Sequence, residues 1–229
     1  MVWSMGNEVE PAIDGRRARR ERSRVAVIDA LFGLVSDGKI PPTPEDIAER
    51  AGVSVSSVFR NFDGLDDLQR QAFDVFRERY AHLFEPVVAS HAPRQERVAA
   101  HVKSRLALLA AAGPMMRVAR HRAIDYPPMA EGVARNRSQL SDQTRAHFAI
   151  ESAQLTPAEA SNLIAVIDSM SSPEACDVMR AAHARSDRQI SRTWIRSIGA
   201  VLDGWPELTQ QPDTDDRDHK TDTARENDR

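Results

Sequence analysis

From Val25 to Leu202 apolar residues recur at the i, i+3, i+4, i+7 spacing of a single helix face, and no stretch alternates apolar with polar residues over a β-branched run. A sheet framework is therefore ruled out and an all-α fold is predicted. The stripes come in pieces, each with its own start and stop. Ile28, Leu31, Phe32 and Val35 form the first, ending at Ser36-Asp37-Gly38. Thr43-Pro44-Glu45-Asp46 supplies an N-cap, a proline for the first helical position and an acidic first turn, so a second helix is predicted from about Pro44 to Gly52. Ser54 caps a short third helix carrying Val58, Phe59 and Phe62, the two phenylalanines being read as core, and Asp63-Gly64 breaks it. Further helices are predicted over 65–88, 95–112, 114–124 and 129–153, with Gly113-Pro114 and Tyr126-Pro127-Pro128 as breaks. Two more open at Thr156 and Ser172, and the last runs over about 187–204.

Composition narrows the class. Hydrophobic residues make up 41% and charged residues 28% of 229, enough for a real core. The longest apolar run, Leu106 to Ala112, is too short to span a bilayer, and Met1 to Gly6 lacks a signal-like apolar stretch, so a cytoplasmic protein with no membrane partner is expected. Cys176 stands alone, which excludes a disulfide framework, and it reads as a small buried apolar residue. The histidines offer no metal-binding pair with a carboxylate between them, so no metal or other cofactor is expected. Without a phosphate loop, nucleophile elbow or carboxylate pair, the chain has no candidate catalytic group and reads as a non-enzyme.

The net charge of −3 hides two opposed ends. Arg16, Arg17, Arg19, Arg20, Arg22 and Arg24 face only one nearby acid, Glu21, and form a patch suited to phosphate. From Thr209 to Arg229 acids dominate and no apolar residue is larger than alanine, so that stretch cannot offset the entropy of ordering. Four segments follow: a basic, partly disordered arm over 1–24, a helical head over 25–70, a larger helical body over 71–208, and an acidic disordered tail over 209–229.

Within the head, Ile47-Ala48-Glu49-Arg50-Ala51-Gly52-Val53-Ser54 has helix-turn-helix spacing: a small Ala48 where the next helix crosses, Gly52 for a positive φ, and Ile47, Val53 and Val58 to pin the pair. The stretch from Arg24 to Phe73, with "TPEDIAERAGVSVSSVFRNF" at its centre, resembles the DNA-binding head of the TetR family of one-component transcriptional regulators. Phe59 stands where that family often has Tyr, and Leu65 where it often has a Lys opening the fourth helix; both usual residues contact phosphate. The six arginines and Arg60 therefore gain weight here. By position in the motif Ser54, Val55, Ser56 and Ser57 form the turn that meets base edges, with Phe59, Arg60 and Asn61 one turn later and Thr43 placed to hold a phosphate with its hydroxyl and free N–H groups.

The resemblance implies a double-stranded operator as partner, read as a palindrome by a homodimer, and a small-molecule effector in the body. Candidate pocket residues are Met115, Met116, His121, Tyr126, Phe148 and Met179. It points to the last two long helices as the dimer interface, and two stripes there, Leu163, Val166, Ile167, Met170 and Ile190, Trp194, Ile198, Val201, Leu202, offer more apolar face than one body obviously covers. The leading reading is a ligand-responsive repressor. Its rivals are a regulator, activating or ligand-independent, that works through a protein partner, and a helical small-molecule enzyme with a DNA-binding-like head.

Overall fold

The computed structural model describes residues 11–85 and 91–208, and among them every regular element is a helix. The expected acidic tail, and the part of the arm before residue 11, lie outside the described residues. No helix among those described is long and apolar enough to cross a membrane. The elements are α1 (Pro11–Ser36), α2 (Pro44–Ala51), α3 (Val55–Asn61), α4 (Leu65–Tyr80), α5 (Arg94–Arg122), α6 (Pro127–His147), α7 (Ala149–Ser152), α8 (Pro157–Met170), α9 (Pro173–Ala181) and α10 (Asp187–Leu208).

Several boundaries differ from expectation. Within the arm expected over 1–24, the described part from Pro11 on, with the arginine run, is helical and belongs to α1, because Arg, Ala and Glu are good helix formers and continue in phase into the apolar stripe. Gly113-Pro114 does not break α5. A glycine before proline removes the Cβ that would clash with the ring, and the helix on either side is anchored by buried Leu108, Leu109, Ala112 and Met116. Pro127 and Pro128 open α6 rather than merely stopping its predecessor, since the first turn needs no N–H from them. The fourth helix, expected to reach Val88, ends at Tyr80 and passes into a 3₁₀ turn at Ala81–Leu83; residues 86–88 lie outside the described set.

The chain divides into two compact units. The first comprises the described residues up to 85 together with Lys103–Gln143, so α4 stays with α1 to α3. Val27, Ile28, Phe32 and Val35 of α1 meet Ile47 and Ala48 of α2, Val58 of α3, and Leu68, Ala72 and Phe76 of α4 in its core. Each such large side chain contributes roughly 1.5–3 kcal/mol when taken out of water. At Gly132 of α6 the backbone lies against the Phe73 ring, where any Cβ would overlap it. Gln143 closes this unit by donating from Nε2 to the carbonyls of Leu83 (3.2 Å) and Glu85 (2.9 Å) and to Ser104 Oγ (3.1 Å).

The second unit holds the described residues 91–102 and those from Thr144 to 208. Its core joins Val98, Phe148, Leu163, Ile164, Ile167, Cys176, Ile190, Trp194 and Ile198, with α8 packed on α10. Inside it Arg97 and Glu151 form a buried two-pronged ion pair, Nη1 to Oε2 and Nη2 to Oε1 both 2.6 Å. Arg97 also donates to the carbonyls of His147 (2.8 Å) and Ala92 (2.9 Å), and Arg94 reaches Glu151 Oε1 at 3.1 Å. Burial pushes the Glu151 carboxyl up, but the Arg97 hydrogen bonds and charge outweigh this and hold it below the ordinary range, while the same bonds raise Arg97.

Candidate nucleic-acid interface

The α2–α3 pair is built by local chemistry. Thr43 Oγ1 accepts from Asp46 N (3.2 Å) and the Asp46 carboxylate accepts from Thr43 N (3.0 Å), a reciprocal capping box. Lys39 bonds the same carboxylate, and this bond, followed by the two from Thr43, lowers its pKa to about 2. Gly52 follows α2 at φ 65, ψ 33, with its N–H and that of Val53 turned back onto α2 carbonyls. Ser54 then caps α3, accepting from Ser57 N at 3.1 Å. Gly52→Ala is expected to cost roughly 1 kcal/mol through the left-handed turn, read as a lower urea midpoint.

Thr43 does not offer what was expected of it. Its N–H is already taken by Asp46, and an ionised carboxylate occupies the α2 N-terminus where a phosphate would sit.

The seven-residue α3 sorts its side chains by helical phase. Val58, Asn61 and Phe62 stand at i, i+3, i+4 and are buried, which overturns Asn61 as a base-reading residue: it is 5% exposed and its amide donates to Ser23 Oγ of α1 at 2.6 Å. Phe59, read as core beside Phe62, is instead 53% exposed on the outer edge. Beside it lie exposed Ser56 and Arg60 and half-buried Val55 and Ser57. Ser54 Oγ bonds both Ser56 Oγ (2.9 Å) and Ser57 Oγ (2.8 Å), and Arg60 Nη2 donates to Ser57 Oγ (3.1 Å). A hydroxyl cluster with a cation and a ring therefore forms the outward edge.

The α1 arginines divide by face. Arg20 donates to the Arg60 carbonyl at 3.4 Å, and Arg24 donates to Gln71 Oε1 at 3.1 Å while lying 5.5 Å from the Phe62 ring centre. Arg24 is thus a strut between α1 and α4, not a spare phosphate ligand. Arg17, Arg19, Arg20 and Arg22 are exposed, and nothing is described of the Arg16 or Leu65 side chains. Ser23 and Gln71, which hold Asn61 and Arg24, carry no sequence signal. Lys39 could have been found from the T-x-x-D box it serves.

The remaining candidates scatter. Met115 and Met116 line a cavity in the first unit, His121 is exposed, and Tyr126 is half-buried off that wall. Phe148 is core and Met179 half-buried, both in the second unit. Of the expected dimer stripes, Leu163, Ile167, Ile190, Trp194, Ile198 and Leu202 are buried within the chain, in the core of the second unit where α8 packs on α10. Val166 stays exposed at 36%, and Met170 and Val201 are half-buried.

No family model and no curated protein matches the chain by sequence. Solved structures do match by fold. A transcriptional regulator from Rhodococcus sp. Rha1 aligns over 81% of this chain and 96% of its own at TM-score 0.60 and 20% identity. A TetR-family transcriptional regulator from Streptomyces coelicolor aligns over 82% and 83% at TM-score 0.65 and 16% identity. A TetR transcription regulator from Haloarcula marismortui ATCC 43049 aligns over 80% and 98% at TM-score 0.58 and 16% identity. With its capped α2–α3 pair and its order of helices, the chain has the fold of the TetR-family transcriptional regulators.

Proposed function

We propose that this chain is a sequence-specific DNA-binding transcriptional regulator, acting as a homodimeric, ligand-responsive repressor on a palindromic operator. The observation that carries the reading is the outward edge of α3, with Ser56, Phe59 and Arg60 exposed beside Arg17, Arg19, Arg20 and Arg22 of α1. Hydroxyl, guanidinium and apolar groups on a short helix suit base edges, and the flanking cations suit phosphates. Selection of bound sequences from random duplexes tests it. A recovered inverted repeat supports the reading, and absence of enrichment overturns it.

Salt dependence separates the two contributions. Each neutralised phosphate adds about 0.9 to the slope of log affinity against log salt, so replacing Arg17, Arg19, Arg20 and Arg22 with Gln is expected to lower the slope by up to about 3.6 while leaving the preferred sequence intact. Ser56→Ala is expected to change base preference with the slope unaltered. An unchanged slope in the arginine variant argues against α1 as a phosphate contact.

Pairing of two copies falls, in this proposal, to the outer faces of α8 and α10. On α8 that face carries Asn162, Ala165, Val166 and Ser169, exposed and uncharged. Val166→Glu is expected to give folded monomers in sedimentation with operator affinity reduced at least tenfold; an intact dimer would move the interface elsewhere.

A further inference from the structure

The first unit holds a partly open cavity of about 180 Å³ whose walls come from parts of the molecule that have different tasks. One side is Ile47 of α2 and another is α4, with Leu68. Met115, Met116 and Ala119 of α5 and Met129 of α6 close it with soft, mostly apolar surface. Three polar side chains interrupt this surface, Gln69, Arg122 and Asn136. Gln69 Oε1 and Arg122 Nε are both buried without a hydrogen-bond partner, and both residues stand on the cavity wall.

Polar atoms left without a partner when buried are costly, so two of them on one cavity wall point to a ligand that would satisfy them. A guanidinium stays charged at any physiological pH and presents a planar fork matched to a carboxylate. An amide oxygen accepts from a hydroxyl or an N–H. The volume sets the size: a cavity of about 150 Å³ holds benzene, so this one holds a ring or short branched chain with a small substituent, roughly eight to ten non-hydrogen atoms.

We infer that this cavity is the effector site, that it takes a small monocarboxylate with its acid group on Arg122 and its apolar body among the methionines, and that occupancy acts directly on the DNA-binding helices. The inference rests on the ligand-responsive reading above and places its site against the head itself. Ile47 is the residue that joins this wall to the reading edge: it is one position from Ala48, on the same buried face of α2 that meets α3. Close-packed interiors transmit a change in filling to the elements that wall them, so a ligand here biases the seat of α2 between α1 and α4. Linkage then requires that operator DNA and ligand alter each other's affinity by the same factor.

Full-length protein with ¹³C-methyl methionine, titrated with phenylacetate, octanoate and methyl phenylacetate, provides the test. Saturable shifts of the Met115, Met116 and Met129 methyls by the acids are expected. Arg122→Met should weaken phenylacetate at least tenfold and leave the methyl ester unchanged, and Ala119→Phe should remove binding of all three. Should Ala119→Phe lose helicity by circular dichroism, Ala119→Leu takes its place. Phenylacetate should shift affinity for the selected operator by roughly fivefold or more, with DNA shifting phenylacetate affinity equally. No methyl shift at millimolar acid overturns the site; equal binding of acid and ester overturns the carboxylate assignment; saturable binding that leaves operator affinity unchanged overturns the coupling. Acid binding by a protein that selects no DNA sequence supports the site and overturns the regulator reading instead.

Discussion

Trp194→Asp is expected to unfold the second unit rather than release a folded monomer. Trp194 is 2% exposed, with its neighbours one turn away, Ile190 and Ile198, fully buried. Truncating an aromatic residue in such a place costs about 3–5 kcal/mol, and a carboxylate left there without a partner adds more. The sum rivals the whole stability of an ordinary domain, about 5–15 kcal/mol. Circular dichroism and urea unfolding read the loss directly, with Trp194→Phe as a milder companion expected to keep the fold. A Trp194→Asp protein that is helical, cooperative and monomeric would restore this face to the dimer interface.

Why the sequence misplaced Trp194 is a matter of what periodicity measures. An amphipathic stripe states that a face must be covered, and says nothing of what covers it. Here α8 packs on α10, and apart from Val166 the residues left outward on α8, Asn162, Ala165 and Ser169, are too small or polar to register as a stripe.

Arg97→Met is expected to cost about 3–5 kcal/mol, because it strands the Glu151 carboxylate in a site from which water is excluded. The half-exposed Arg94, also bonded to Glu151, places the loss toward the low end of that range. The pair also sets a pH dependence. The folded pKa of Glu151 lies below its ordinary value, so its stabilising contribution is complete above the unfolded carboxylate range near pH 4.3 and is lost as pH falls through the depressed folded value. Urea midpoints at neutral and acid pH should therefore converge between wild type and Arg97→Met as acid is added. Glu151→Gln should remove that component of the pH dependence. Parallel curves at all pH values would show that the pair contributes nothing through ionisation.

Nothing in the sequence announces this pair, whose members stand far apart in the chain on α5 and α7. The head was legible for the opposite reason. Thr43, Pro44, Gly52 and Ser54 act on backbone groups within four residues of themselves, so their roles can be read without knowing the fold. Asn61 is misplaced because residue type is weighed above phase. Counting from Val58, the buried face takes Asn61 and Phe62 and leaves Phe59 outside, whatever their polarity. Methionines and aromatics mark apolar interior generally, and only Met115 and Met116 of the six candidate pocket residues face the cavity.

That α1 is helical through its arginines has a thermodynamic consequence for a chain that binds DNA as proposed. A disordered basic arm must be ordered at the moment of docking, at roughly 1–2 kcal/mol per backbone residue. Arg17 to Arg22 are ordered beforehand, on a helix whose Arg20 and Arg24 are tied to the carbonyl of Arg60 and the amide of Gln71. Their phosphate contacts then carry little penalty from coupled folding, and the heat-capacity change of operator association should reflect the apolar surface covered at α3 without an added increment from α1.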